Sequence, residues 1–70
     1  MNEIEKLRIL IPHWMQHNDE HADEYQRWAE KTAEASADIL AAVEALKKVN
    51  QALESALEKL GGETSHPHSH

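Results

Sequence analysis

The chain contains no cysteine and no phenylalanine, and only two glycines, two prolines, two tryptophans and one tyrosine. Without cysteine there are no disulfides, zinc–thiolate sites or iron–sulfur clusters, although the compartment is left open. The glycines stand together at 61 and 62 and the prolines at 12 and 67. There is therefore no phosphate-binding glycine loop, and no strong helix breaker between Pro12 and Gly61. Basic residues are few, 7 Lys and Arg against 13 Asp and Glu, for a formal charge of −6. They are also dispersed among acids, which argues against a nucleic-acid partner. No apolar run approaches membrane-spanning length. The start, Met-Asn-Glu-Ile-Glu-Lys, lacks the basic and apolar stretches of a signal peptide. A soluble, acidic, cytoplasmic protein is the expectation. Seventy residues form one small domain at most, with a core so thin that a metal or a partner subunit is expected to support it.

What remains is a helical composition rich in Ala, Glu, Leu, Lys and Gln. Ile4, Leu7 and Leu10 or Ile11 suggest a short first helix over residues 3 to 10. Pro12 predicts a break near 11–12, because proline disfavours helix at the preceding residue and suits a helix start. A second helix is expected from Pro12 to about Ala35. Ile39, Val43, Leu46, Asn50, Leu53, Leu57 and Leu60 then alternate in steps of four and three, a coiled-coil seam closed by Gly61-Gly62. Glu34–Asp38 is the candidate turn, with Ser36 or Asp38 as helix N-cap. The small residues Ala22, Ala29 and Ala33 favour a hairpin over one long helix. The expected architecture is all-α: a short N-terminal helix plus a long helical hairpin over 1–62, dimerising into a four-helix bundle, with a flexible His-rich tail over 63–70.

The histidines carry the chemistry. His13, His17 and His21 repeat every four residues, and His66, His68 and His70 close the chain. On a helix the first three form a ladder along one side. A helical projection centred on Trp14, Asn18, Tyr25 and Thr32 puts Ile11, Ala22 and Ala29 on one flank and the ladder on the other. It predicts His21 as the most buried of the three and His13 as the most exposed. His13 and His21 are about 12 Å apart along the axis, too far to share one ion readily. His17 and His21, at i and i+4, are therefore the preferred pair, with His13, Glu20, Glu24 or a second chain completing the shell. The tail histidines His66, His68 and His70 could capture or transfer the ion. Nitrogen and carboxylate ligands select Zn²⁺, Ni²⁺, Co²⁺ or Cu²⁺.

His17-Asn-Asp-Glu20-His21 also fits the H-x-x-E-H pattern of a zinc hydrolase family. Seventy residues cannot build that family's substrate cleft, so the match is read as coincidence and no enzyme is expected. The aromatic residues Trp14, Tyr25 and Trp28 are expected in the core, with an interface role as the alternative. Asn50, at a seam position, is either a tolerated polar residue or a device that fixes register.

The stretch from Leu7 to Ala29 resembles a family of short uncharacterised bacterial and archaeal proteins with a pattern close to I-P-H-W-x-x-H-N-x-x-H-A-x-x-[YF] and often a His-rich end. The resemblance picks out Pro12, His13, Trp14, His17, Asn18, His21 and Tyr25. It implies a helical fold and metal handling. Two functions follow: a small metal chaperone, store or sensor, homodimeric and serving another metal-handling protein, or a cofactor-free helical interaction module.

Overall fold

A computed structural model describes residues 2–63. Two antiparallel helices account for nearly all of them: α1, Glu3–Ala29, and α2, Ser36–Lys59, joined by a turn that ends in a short 3₁₀ segment, Ala33–Ala35. The hairpin is as expected, and no strand occurs among the described residues. None of the helices is long and apolar enough to cross a membrane. The tail histidines His66, His68 and His70 lie outside the described residues.

The break at Pro12 does not occur. Residues 3–10 and 12–29 form one helix with Pro12 inside it. A mid-helix proline costs about 3 kcal/mol through a lost hydrogen bond and a clash with the carbonyl four residues back. Tertiary packing offsets that cost, because the inward-facing positions keep their period across the proline. Leu7 is half-buried, Ile11 is only 3% exposed, and Met15 and Asn18 continue the line. Fully burying one such aliphatic side chain contributes about 1.5–3 kcal/mol. A break at 11–12 would turn Leu7 away from α2. The helix start is fixed by a capping box. Asn2 Oδ1 accepts from the Glu5 backbone N–H at 2.8 Å, and Glu5 Oε1 accepts from that of Asn2 at 3.3 Å.

The turn lies earlier than Glu34–Asp38. α1 ends at Ala29, Glu30 and Lys31 make the bend, and Thr32 is extended at φ −134°, ψ 93°. A β-branched residue tolerates that conformation well. Neither Ser36 nor Asp38 caps α2; the cap position is Ala35, with no side-chain hydrogen bond, and Ser36 is already helical. Ala29, at 3% exposure, lets the helices approach where they join. At the far end, Gly62 N–H donates to Leu57 O and Gly61 N–H to Glu58 O, the paired bonds of a Schellman stop. Both glycines have positive φ, 104° and 86°.

Among the described residues, four side chains form the buried core: Ile11, Ala29, Val43 and Leu57. Ile39, Leu46, Asn50, Leu53 and Leu60 are half-buried, so the seam read from α2 does face α1. Two polar clamps fix the pairing. Asn18 Nδ2 donates to Asn50 Oδ1 at 2.8 Å, while Asn50 Nδ2 donates to Met15 O at 3.1 Å and Asp19 Oδ1 at 2.9 Å. Near the chain ends, Arg8 Nε donates to Gly62 O at 2.7 Å and Nη2 to Gly61 O at 3.3 Å. That guanidinium sits where the α2 dipole favours a cation.

Candidate functional site

The histidine ladder lies on one uninterrupted helix, as its spacing requires, but not where its burial was expected. His13, His17 and His21 are all exposed, and the His21 side chain retains 56% of its accessible surface. The inward line of α1 runs through Leu7, Ile11, Asn18, Ala22 and Ala29 rather than through Trp14, Tyr25 and Thr32. That is a rotation of roughly 45° at about 100° per residue, and it carries His21 out of the helix–helix contact. The aromatics move with it: Trp14, Tyr25 and Trp28 are 41%, 37% and 55% exposed, so they do not form the core.

The ring contacts pair the ladder differently from the expectation. His13 and His17 meet edge to face with centroids 4.5 Å apart, whereas His21 stacks obliquely on Tyr25 at 6.1 Å. His21 Nδ1 is 3.9 Å from Glu24 Oε1, just beyond hydrogen-bonding range. Glu20 accepts from Gln16 Nε2 at 3.4 Å. Among the described residues, no three His, Asp or Glu side chains are gathered closely enough to hold a metal ion. A helical metal site would therefore need a ligand from beyond this set.

The larger feature is the face that the ladder occupies. Leu10, Trp14, His17, His21 and Trp28 lie roughly 60–120° to one side of the inward line of α1. On α2, Ala42, Leu46, Val49, Leu53 and Ala56 lie to one side of their own inward line. In an antiparallel pair these two flanks share one broad face of the hairpin. A shallow depression lined by Tyr25, Trp28, Ile39, Ala42 and Asp38 spans the helices there. From Leu10 to Trp28, and from Ala42 to Ala56, no charged residue stands on these strips. The opposite broad face has depressions lined by Asp19, Lys47, Gln51, Glu54 and Glu58, among others. The middle of the hairpin is thus free of charge on one broad side, with Asp38 at its turn end, whereas the other side carries the charged residues together with the exposed Leu40.

A family model, the domain of unknown function DUF8180, matches residues 7–60. The chain belongs to this family. The DUF8180 match takes in the whole ladder, both asparagines of the clamp and the apolar strips of both helices. No curated protein and no solved structure matches the chain. Spacing alone missed two features of the DUF8180 hairpin. Asn2-x-x-Glu5 was legible as a capping box. The Asn18–Asn50 bond had only a partial signal, two asparagines on seam positions of facing helices.

Proposed function

We propose that the chain is a self-assembling helical module, half of a four-helix bundle that a second copy completes. One observation carries this reading: of the eight exposed large hydrophobic side chains among the described residues, Leu10, Trp14, Tyr25, Trp28 and Val49 share one broad face. Trp14, Trp28 and Val49 stand there, the last 44% exposed. A 27-residue helix is about 40 Å long. With a molecular width of 22 Å, the whole broad side spans roughly 900 Å², of which the uncharged stretch from Leu10 to Trp28, about 27 Å long, makes up roughly 600 Å², against about 800 Å² per partner in a standard interface. Four buried side chains give one hairpin little core, and burying this face would supply the rest. A second copy is the occupant that needs nothing outside the chain, and homodimeric interfaces are the apolar kind.

The test is the solution mass of the full chain beside Val49→Glu. The reading predicts a dimer for the native chain and a monomer for the variant, each helical by circular dichroism. A native chain that stays monomeric and folded at all concentrations would refute it. Metal handling is supported on a different ground, since two of the ladder histidines stand in the middle of this face. One hairpin does not gather a ligand set among its described residues, so that role is proposed for the assembled form.

A further inference from the structure

We infer that two hairpins meet about a two-fold axis perpendicular to their helices, so that His17 and His21 of both copies form one four-imidazole site for a divalent transition metal. This inference rests on the self-association proposed for the apolar face. The Asn18–Asn50 bond sets the hairpin's register: residues at one level have numbers adding to about 68. The exposed row of α1, Leu10 to Trp28, is centred on residue 19, and the strip Ala42, Val49, Ala56 is centred on Val49. The two centres therefore share a level. His17 and His21 lie equally to either side of it and also straddle the midline of the row.

Two two-fold arrangements can set such faces together. An axis along the helices would cover each ladder with the partner's α2 strip. Ala42, Leu46, Val49, Leu53 and Ala56 offer no side-chain donor or acceptor, so the facing helix would leave ring nitrogens such as Nε2 of His21 buried without a partner, at a cost of about 1–3 kcal/mol each. The perpendicular axis sets α1 antiparallel to the partner's α1 instead. It brings His17 level with the partner's His21, His21 level with the partner's His17, and Val49 against the partner's Val49. In each copy the two histidines are about 6 Å apart along the helix, the i, i+4 spacing of a chelating pair. Packed helices lie about 8–10 Å apart, so the midline is within imidazole reach of both. Glu24, 3.9 Å from His21 Nδ1, would need to close by about 1 Å to accept that N–H and leave Nε2 for the metal. Four neutral imidazoles suit Zn²⁺, Co²⁺, Ni²⁺ or Cu²⁺.

The rival is the His13–His17 pair of a single chain. Its centroids are 4.5 Å apart, close to the separation of about 5 Å for two imidazoles on one tetrahedral ion. The deciding experiment titrates Co²⁺, then Zn²⁺, into the full chain with His66, His68 and His70 replaced by serine, and follows cobalt absorption and mass together. The inference predicts one ion per pair of chains. His17→Ala/His21→Ala and Val49→Glu should both abolish binding, and His13→Ala should keep it. Val49→Cys, the chain's sole cysteine, should oxidise to a linked dimer. A dimer that binds no metal would overturn the site and leave self-association standing. One ion per monomer, lost in His13→Ala, would overturn it in favour of the rival. A dimer that Val49→Cys fails to link would overturn the axis. A chain monomeric with and without metal would refute the self-association itself.

Discussion

Replacing Asn50 with alanine should cost about 1–2 kcal/mol, and the cost should be shared with Asn18. The side chain makes three hydrogen bonds, to Asn18, Met15 and Asp19, at 2.8–3.1 Å. Each is worth about 0.5–1.5 kcal/mol net. Asn50 is only half-buried, so water recovers part of the loss and the sum of about 1.5–4.5 kcal/mol falls to about 1–2 kcal/mol. For a domain of this size that corresponds to a fall in melting temperature of about 4–16 °C. Thermal and urea unfolding by circular dichroism, at one fixed protein concentration because association shifts apparent stability, measures it. The double-mutant cycle with Asn18→Ala isolates the 2.8 Å bond and should give a coupling of at least about 0.5 kcal/mol. Fully additive single mutants would show that the two asparagines do not hold the helices in register. Asn50→Leu is the informative contrast. An apolar residue at a seam position can stabilise while loosening register, so it should lose less stability than the alanine variant and broaden the amide spectrum.

Pro12→Ala should raise stability by up to about 3 kcal/mol, because it restores the helical hydrogen bond and removes the ring's clash; a lower urea midpoint would show that α1 needs the proline's local geometry. Gly61→Ala should cost about 1 kcal/mol, since φ there is 104° and the added Cβ would stand 3.4 Å from Arg8 Cζ. An unchanged midpoint would count against the Schellman stop. Metal affinity in the assembled form should fall as pH is lowered from neutral, because imidazole binds metal only when deprotonated. A cobalt titration indifferent to pH would exclude histidine ligands.

Helical class, the α2 seam and its glycine stop were legible because each depends on local pattern: apolar residues in steps of four and three, then two residues suited to positive φ. The misreadings arose where tertiary contacts outweigh a local rule. Pro12 reads as a boundary on its own preferences, but Leu7 and Ile11 hold both sides of it against α2. The turn carries no Gly, Pro or Asn, so nothing local distinguished Thr32 from the candidate Glu34–Asp38 that begins two residues on. The ladder's burial was misjudged for a related reason. Trp14 and Tyr25 pulled the projected centre toward themselves as the bulkiest apolar residues, whereas the inward line is made of Ile11, small Ala22 and Ala29, and polar Asn18. A second apolar strip beside the first is what a helix with two neighbours requires, and a search for a single strip averages the two.

Sedimentation equilibrium of the full chain over a wide concentration range tests the central claim most directly. The account predicts convergence on twice the chain mass, and return to a single chain mass when Val49 is replaced by glutamate. A helical, cooperatively unfolding species of single-chain mass at every concentration would contradict it.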